Sequence, residues 1–90
     1  MDETPTDYNF LSLARSYCLA HGQGDSRINV ALLKLRLGVD SPDFARDYES
    51  HVSRLQDAGL INIETFCGSV VSPVFRITLD GLDYLRGSRR

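Results

Sequence analysis

Apolar positions along this chain recur at two different periods, and the change of period divides it. Between residues 7 and 20, Phe10, Leu11, Ala14, Tyr17 and Cys18 fall at helical spacing. This predicts an amphipathic helix with Thr6 or Asp7 as its N-cap. The run stops at His21-Gly22-Gln23-Gly24, which reads as a linker. Residues 27–38, within RINVALLKLRLGV, are ambiguous, because Leu33, Leu35, Leu37 and Val39 alternate with Lys34, Arg36 and Gly38 as a strand would. The Leu and Ala content, a cap at Asp25 or Ser26, and Gly38 at the place of a left-handed stop favour helix. On that helix Val30, Leu33 and Leu37 form one stripe, and Ile28, Leu32 and Leu35 form a second. A helix apolar on two faces is either sandwiched inside the domain or offers a surface for self-association.

The next helix starts at DSPDF, with Ser41 as N-cap, Pro42 at the first helical position and Asp43 in the first turn. Phe44, Tyr48, Val52 and Leu55 then mark one face, so a single helix is predicted over 42–58 and ended by Gly59. Arg46, Ser50, Ser53, Arg54 and Asp57 point away from that face. Beyond Gly59 the period shortens to two. LINIETF and VSPVFRITL predict an antiparallel hairpin, 61–66 and 73–79, turning at Gly68-Ser69. Ile61 and Ile63 share one face of the first strand; Phe75, Ile77 and Leu79 share one face of the second. LDGLDYLRGSRR closes the chain with a short helix that turns Leu82 and Leu85 inward. The expected fold is α+β, in the order helix, helix, helix, strand, strand, helix. It forms one domain over 1–90, with a flexible acidic tail at 1–5 and a flexible basic tail at 87–90.

Composition narrows the class. Ninety residues with 42% hydrophobic and 24% charged side chains suit a small soluble domain that buries about 60 to 65% of its unfolded surface. Cys18 and Cys67 share no metal-ligand spacing with each other or with His21 and His51. They read as two reduced thiols, with a Cys18–Cys67 disulfide as the alternative. The acidic opening MDETPTD is unlike a signal peptide, and no window reaches the roughly 18 apolar residues of a membrane span. The expectation is a cytoplasmic protein without a membrane partner.

Charge and spacing bear on chemistry mainly by exclusion. No carboxylate pair sits in an evident cleft, no Ser or Cys stands at a recognisable distance from a His, and no metal quartet is present. HGQGD at 21–25 lacks the preceding strand of a nucleotide fold and reads as a connection between helices. Neither an enzyme nor a cofactor is expected. Net charge is −2, from ten basic residues, nine of them Arg, against twelve acidic ones. This is not the footprint of a strong non-specific nucleic-acid binder.

Three stretches, LGV at 37–39, HVSRLQDAGLI at 51–61 and FRITLDGLDYL at 75–85, together resemble the signatures of small bacterial and phage winged helix-turn-helix proteins. The resemblance covers about 33–85. It implies three helices, a two-stranded β-hairpin wing and a short C-terminal helix. It also implies a small DNA-binding regulator that uses helix 42–58 for recognition. In that frame Val52 and Leu55 anchor the helix, Ala58 and Gly59 stop it, Leu60 and Ile61 lead into the wing, Thr78 caps the last helix and Gly81 permits close packing. Two departures stand out. Between LGV and Leu55 the chain carries about one helical turn more than a tight helix-turn-helix. Asp43, Asp47, Glu49 and Asp57 also outnumber Arg46 and Arg54 along the recognition segment.

For double-stranded DNA, the expected contacts are Arg46, Ser50, Ser53 and Arg54 on the outward face, with Arg76 on the wing strand and Arg86, Arg89 and Arg90 at the end. The competing structural reading pairs Arg46 with Glu49 and Arg54 with Asp57 along the helix. For His51 it gives a flank packed against the wing. The alternative partner is a host protein. Phage- or mobile-element-type modules of this shape inhibit nucleic-acid-binding or defence complexes, and an acidic surface with an uncharged wing tip, Phe66 to Pro73, suits that use. A homodimer through helix one or helix two is the third expected association.

Overall fold

The computed structural model describes residues 6–21, 26–64 and 73–87. In chain order the elements are α1 (Asp7–His21), β1 (Arg27–Asn29), α2 (Val30–Asp40), α3 (Pro42–Arg46), α4 (Tyr48–Asp57), β2 (Ile61–Glu64), β3 (Val74–Ile77) and α5 (Leu79–Arg86). The three strands form one antiparallel sheet in the order β1-β3-β2. This α+β arrangement is compatible with a winged-helix-like fold. The expected acidic tail at 1–5, residues 88–90 of the basic tail with Arg89 and Arg90, residues 22–25 of the linker and residues 66–72 of the wing tip with Cys67 lie outside the described residues. Gly87, expected in the flexible tail, is instead the left-handed C-cap of α5.

Helix α1 forms as its spacing requires. The Thr6 hydroxyl accepts from the Asn9 N–H at 3.1 Å, capping the first turn. Phe10, Leu11, Ala14, Tyr17 and Cys18 are all buried. The predicted second helix is corrected at both ends. Arg27, Ile28 and Asn29 form a strand paired with Arg76, Phe75 and Val74 of β3. The true N-cap is Asn29, whose Oδ1 accepts from the Ala31 and Leu32 N–H groups at 2.8 and 3.3 Å. A partner more than forty residues downstream claims the backbone here, and no local signal announces it. Gly38 does not stop the helix. It lies inside α2, which runs on to Asp40, and it is not among the glycines of positive φ.

The single helix expected over 42–58 is two helices broken at Asp47, whose φ of −102° and ψ of 20° leave the helical ladder. Phe44, Tyr48, Val52 and Leu55 are nonetheless all buried, so the periodicity located the apolar face and missed the break. Segment α3 packs on α2. The residues before Asp47 thus form a short separate helix.

The stop of α4 and the start of α5 are fastened together. Gly59 adopts φ 79°, and the Leu60 N–H reaches back to the Leu55 carbonyl at 3.0 Å, closing a Schellman-type end. The Thr78 hydroxyl donates to the Gly59 carbonyl at 2.8 Å and accepts from the Gly81 N–H at 3.0 Å. A Cβ on Gly81 would run into the Leu60 carbonyl and the Ile77 side chain. These contacts bear out the jobs expected of Gly59, Thr78 and Gly81. Ile61, Phe75 and Ile77 turn into the core, with Ile63, Leu82 and Leu85 packed against it. Leu79 departs from expectation. It opens α5 and is 79% exposed.

Candidate nucleic-acid interface

Helix α4 is held by Tyr48, Val52 and Leu55 on one side and leaves Ser50, Ser53, Arg54, Gln56 and Asp57 in solvent. The two serines are short and reach no partner among the described residues, so their hydroxyls stay available. Arg54 is engaged instead. Its Nε and Nη2 grip both oxygens of Asp7 on α1, at 2.9 to 3.2 Å. The pair expected with Asp57 is therefore replaced by one that spans 47 residues. Nη1 of Arg54 makes no bond among the described residues, and the side chain remains 57% exposed.

The same carboxylate organises His51. Its Nδ1 lies 2.7 Å from Asp7 Oδ1. An ionised carboxylate only accepts, so Nδ1 carries the proton. The ring is 1% exposed and stacks on Phe10 at 4.8 Å between centroids, with Phe44 behind it at 5.7 Å. His51 therefore packs into the α1 side of the core, not against the wing, and it cannot meet a base. Its Nε2 is buried with no partner among the described residues. The Arg54 hydrogen bonds hold the Asp7 carboxyl below its ordinary range; partial burial opposes them and loses, and His51 adds to the lowering. Nothing local signalled this triad, because Asp7 reads from the sequence as a helix cap.

Arg46 sits on α3, apart from the serines of α4. It pairs with Asp43 at 2.9 Å and not with Glu49, and both side chains are about two-thirds exposed. Nearby, Lys34, Ala45, Arg46, Tyr48 and Glu49 line a shallow cleft of about 190 Å³ between α2, α3 and α4. Lys34 Nζ stands 4.9 Å above the Tyr48 ring and 3.8 Å from Glu49. Burial pushes the Tyr48 hydroxyl up to about 12, with Glu49 adding to the shift.

Arg76 projects from the open face of the sheet and meets Glu64 at 3.2 Å. Its register neighbours on either side are Arg27 and Asn62. Arg27 is exposed and touches no carboxylate among the described residues. Arg86 pairs with Asp83 at 3.4 Å. The five sequence-predicted contacts thus all face solvent, but they occupy three places: Arg46 beside α2, Ser50, Ser53 and Arg54 on α4, and Arg76 on the sheet. Each arginine already has a carboxylate. Among the described residues no three His, Cys, Asp or Glu side chains converge as metal ligands, and no helix is long and apolar enough to cross a membrane.

Comparison with known proteins finds no matching family model, no similar curated protein and no similar solved structure.

Proposed function

We propose that this chain is a winged helix-turn-helix protein acting as a small regulator that presents α4 to double-stranded DNA. The element order, with β1 completing a sheet ordered β1-β3-β2 around the helices, supports the fold. The observation that carries the function is the build of α4. It is a rigidly anchored helix whose outward side holds Ser50, Ser53 and an arginine with a free Nη1, the hydrogen-bonding set a groove requires. Ion pairs as exposed as Arg46–Asp43 are worth little and exchange readily for a phosphate. With so few cations, affinity is modest and its dependence on salt is shallow. Fluorescence anisotropy on a mixed-sequence duplex tests this: a log–log salt slope of about −2 to −3 is expected, two or three phosphates being neutralised. Absence of binding to any duplex at the lowest salt removes the reading.

A second reading has its own observation. Asp47, Glu49 and Asp57 are exposed around α4, which suits a partner protein with a basic nucleic-acid channel. Reversing all three to Lys separates the two. Duplex affinity rises about tenfold or more if DNA is the target, whereas capture of a basic partner is abolished if protein is.

A further inference from the structure

The side of α2 that points away from the core is apolar. At 100° per residue Val30, Leu33 and Leu37 face inward, and nearly opposite them lie Leu35 and Val39, with Ala31 and Gly38 along one edge. All four are exposed, Leu35 to 61% and Val39 to 69%. The second apolar face expected from the sequence is therefore real, but its members differ. Ile28 has left for β1 and the core, Leu32 is half-buried, and no described part of this chain covers the rest. Isolated exposed leucines are ordinary; a continuous stripe along a surface helix is the mark of an interface.

We propose that this stripe is the contact with a second copy of the chain, two α2 helices packing antiparallel about a two-fold axis near position 37. An isologous contact must carry both a projection and the recess that receives it on one surface. Leu35 is the projection. Gly38, three residues on, is the recess, because it carries no side chain and the space a Cβ would fill is open. Leu35 of each copy then sits over Gly38 and Val39 of the other, twice over. The borders fit the same arrangement. Lys34 and Glu49 flank the stripe on one side at 3.8 Å, Arg36 and Asp40 on the other at 3.3 Å. Both rims are charge-balanced, so two copies of an acidic protein meet here without like-charge repulsion and can exchange ion-pair partners across the axis.

The contact goes beyond the DNA reading and is measured without DNA, so either can fail alone. Light scattering on the full chain should give twice the 10.1 kDa protomer mass. Leu35→Glu should weaken the dimer by about 30-fold or more, the loss of a central anchor, with circular dichroism and melting of the monomer unchanged because Leu35 is exposed. Val39→Glu provides a second variant if the first aggregates. A disulfide formed only on mixing Leu35→Cys with Val39→Cys supports the antiparallel register. A wild-type chain that stays at the protomer mass up to about 1 mM, or a dimer indifferent to both glutamates, overturns the proposal.

Discussion

Helices α2 and α4 are almost equal in length, eleven and ten residues, and each buries one stripe of three or four large side chains. Their outward faces are opposite in kind. That of α4 is serine, glutamine, arginine and carboxylate; that of α2 is alanine, leucine, glycine and valine. The inward stripe reports what a helix does for the fold, and only the outward one reports what remains for a partner. By that measure α4 is suited to a hydrated, charged target, and α2 to a dry one of its own kind.

The largest test of this contrast compares neighbours on α2. Leu33→Ala removes a fully buried side chain and should cost about 3 kcal/mol in urea unfolding. Leu35→Ala should change the stability of the monomer by less than about 0.5 kcal/mol, measured at concentrations below association. Equal losses would mean that Leu35 is not a surface residue.

Next in size is the brace beneath α4. Asp7→Asn weakens both the His51 and the Arg54 contacts and should cost about 1 kcal/mol at neutral pH, solvent screening the exposed arginine side. The hydrogen bonds from Arg54 hold the folded-state carboxyl below its ordinary value. Its contribution is therefore complete above the unfolded pKa and is lost as pH falls through the folded one. Urea midpoints of wild type and variant should differ at pH 7 and converge in acid below the ordinary carboxylate range. A gap that persists there would show that the carboxylate charge is not its source.

The smallest test uses two glycines of opposite conformation. Gly59→Ala forces a Cβ into φ 79° and should destabilise by about 1 kcal/mol. Gly38→Ala, inside α2 with open space around it, should raise monomer stability by about 0.5 to 1 kcal/mol, while filling the recess that the second copy needs. A more stable monomer with a weaker dimer is the expected pair of results by calorimetry and light scattering.

Much of this was legible beforehand because it depends on local periodicity and local turns. The buried residues of α1, the face shared by Phe44, Tyr48, Val52 and Leu55, the Gly59 stop and the Thr78 cap follow from spacings of three and four and from residues with one conformational use. Strand β1 escaped because three residues of strand have no period of their own and exist only through pairing with β3. The break at Asp47 escaped because neither Gly nor Pro stands there, and the break accompanies the packing of α3 on α2.

The candidate contacts show the same division more sharply. That Arg46, Ser50, Ser53, Arg54 and Arg76 face solvent is a matter of helical and strand phase, which the amino-acid order alone determines. Whom each arginine meets is not. Arg54 finds Asp7 across 47 residues, His51 is drawn beneath Phe10, and Arg76 lies beside Arg27. Phase is local, so sequence decides which way a side chain points. Ion pairs and ring contacts join distant segments, so only the folded chain decides what lies there to meet it.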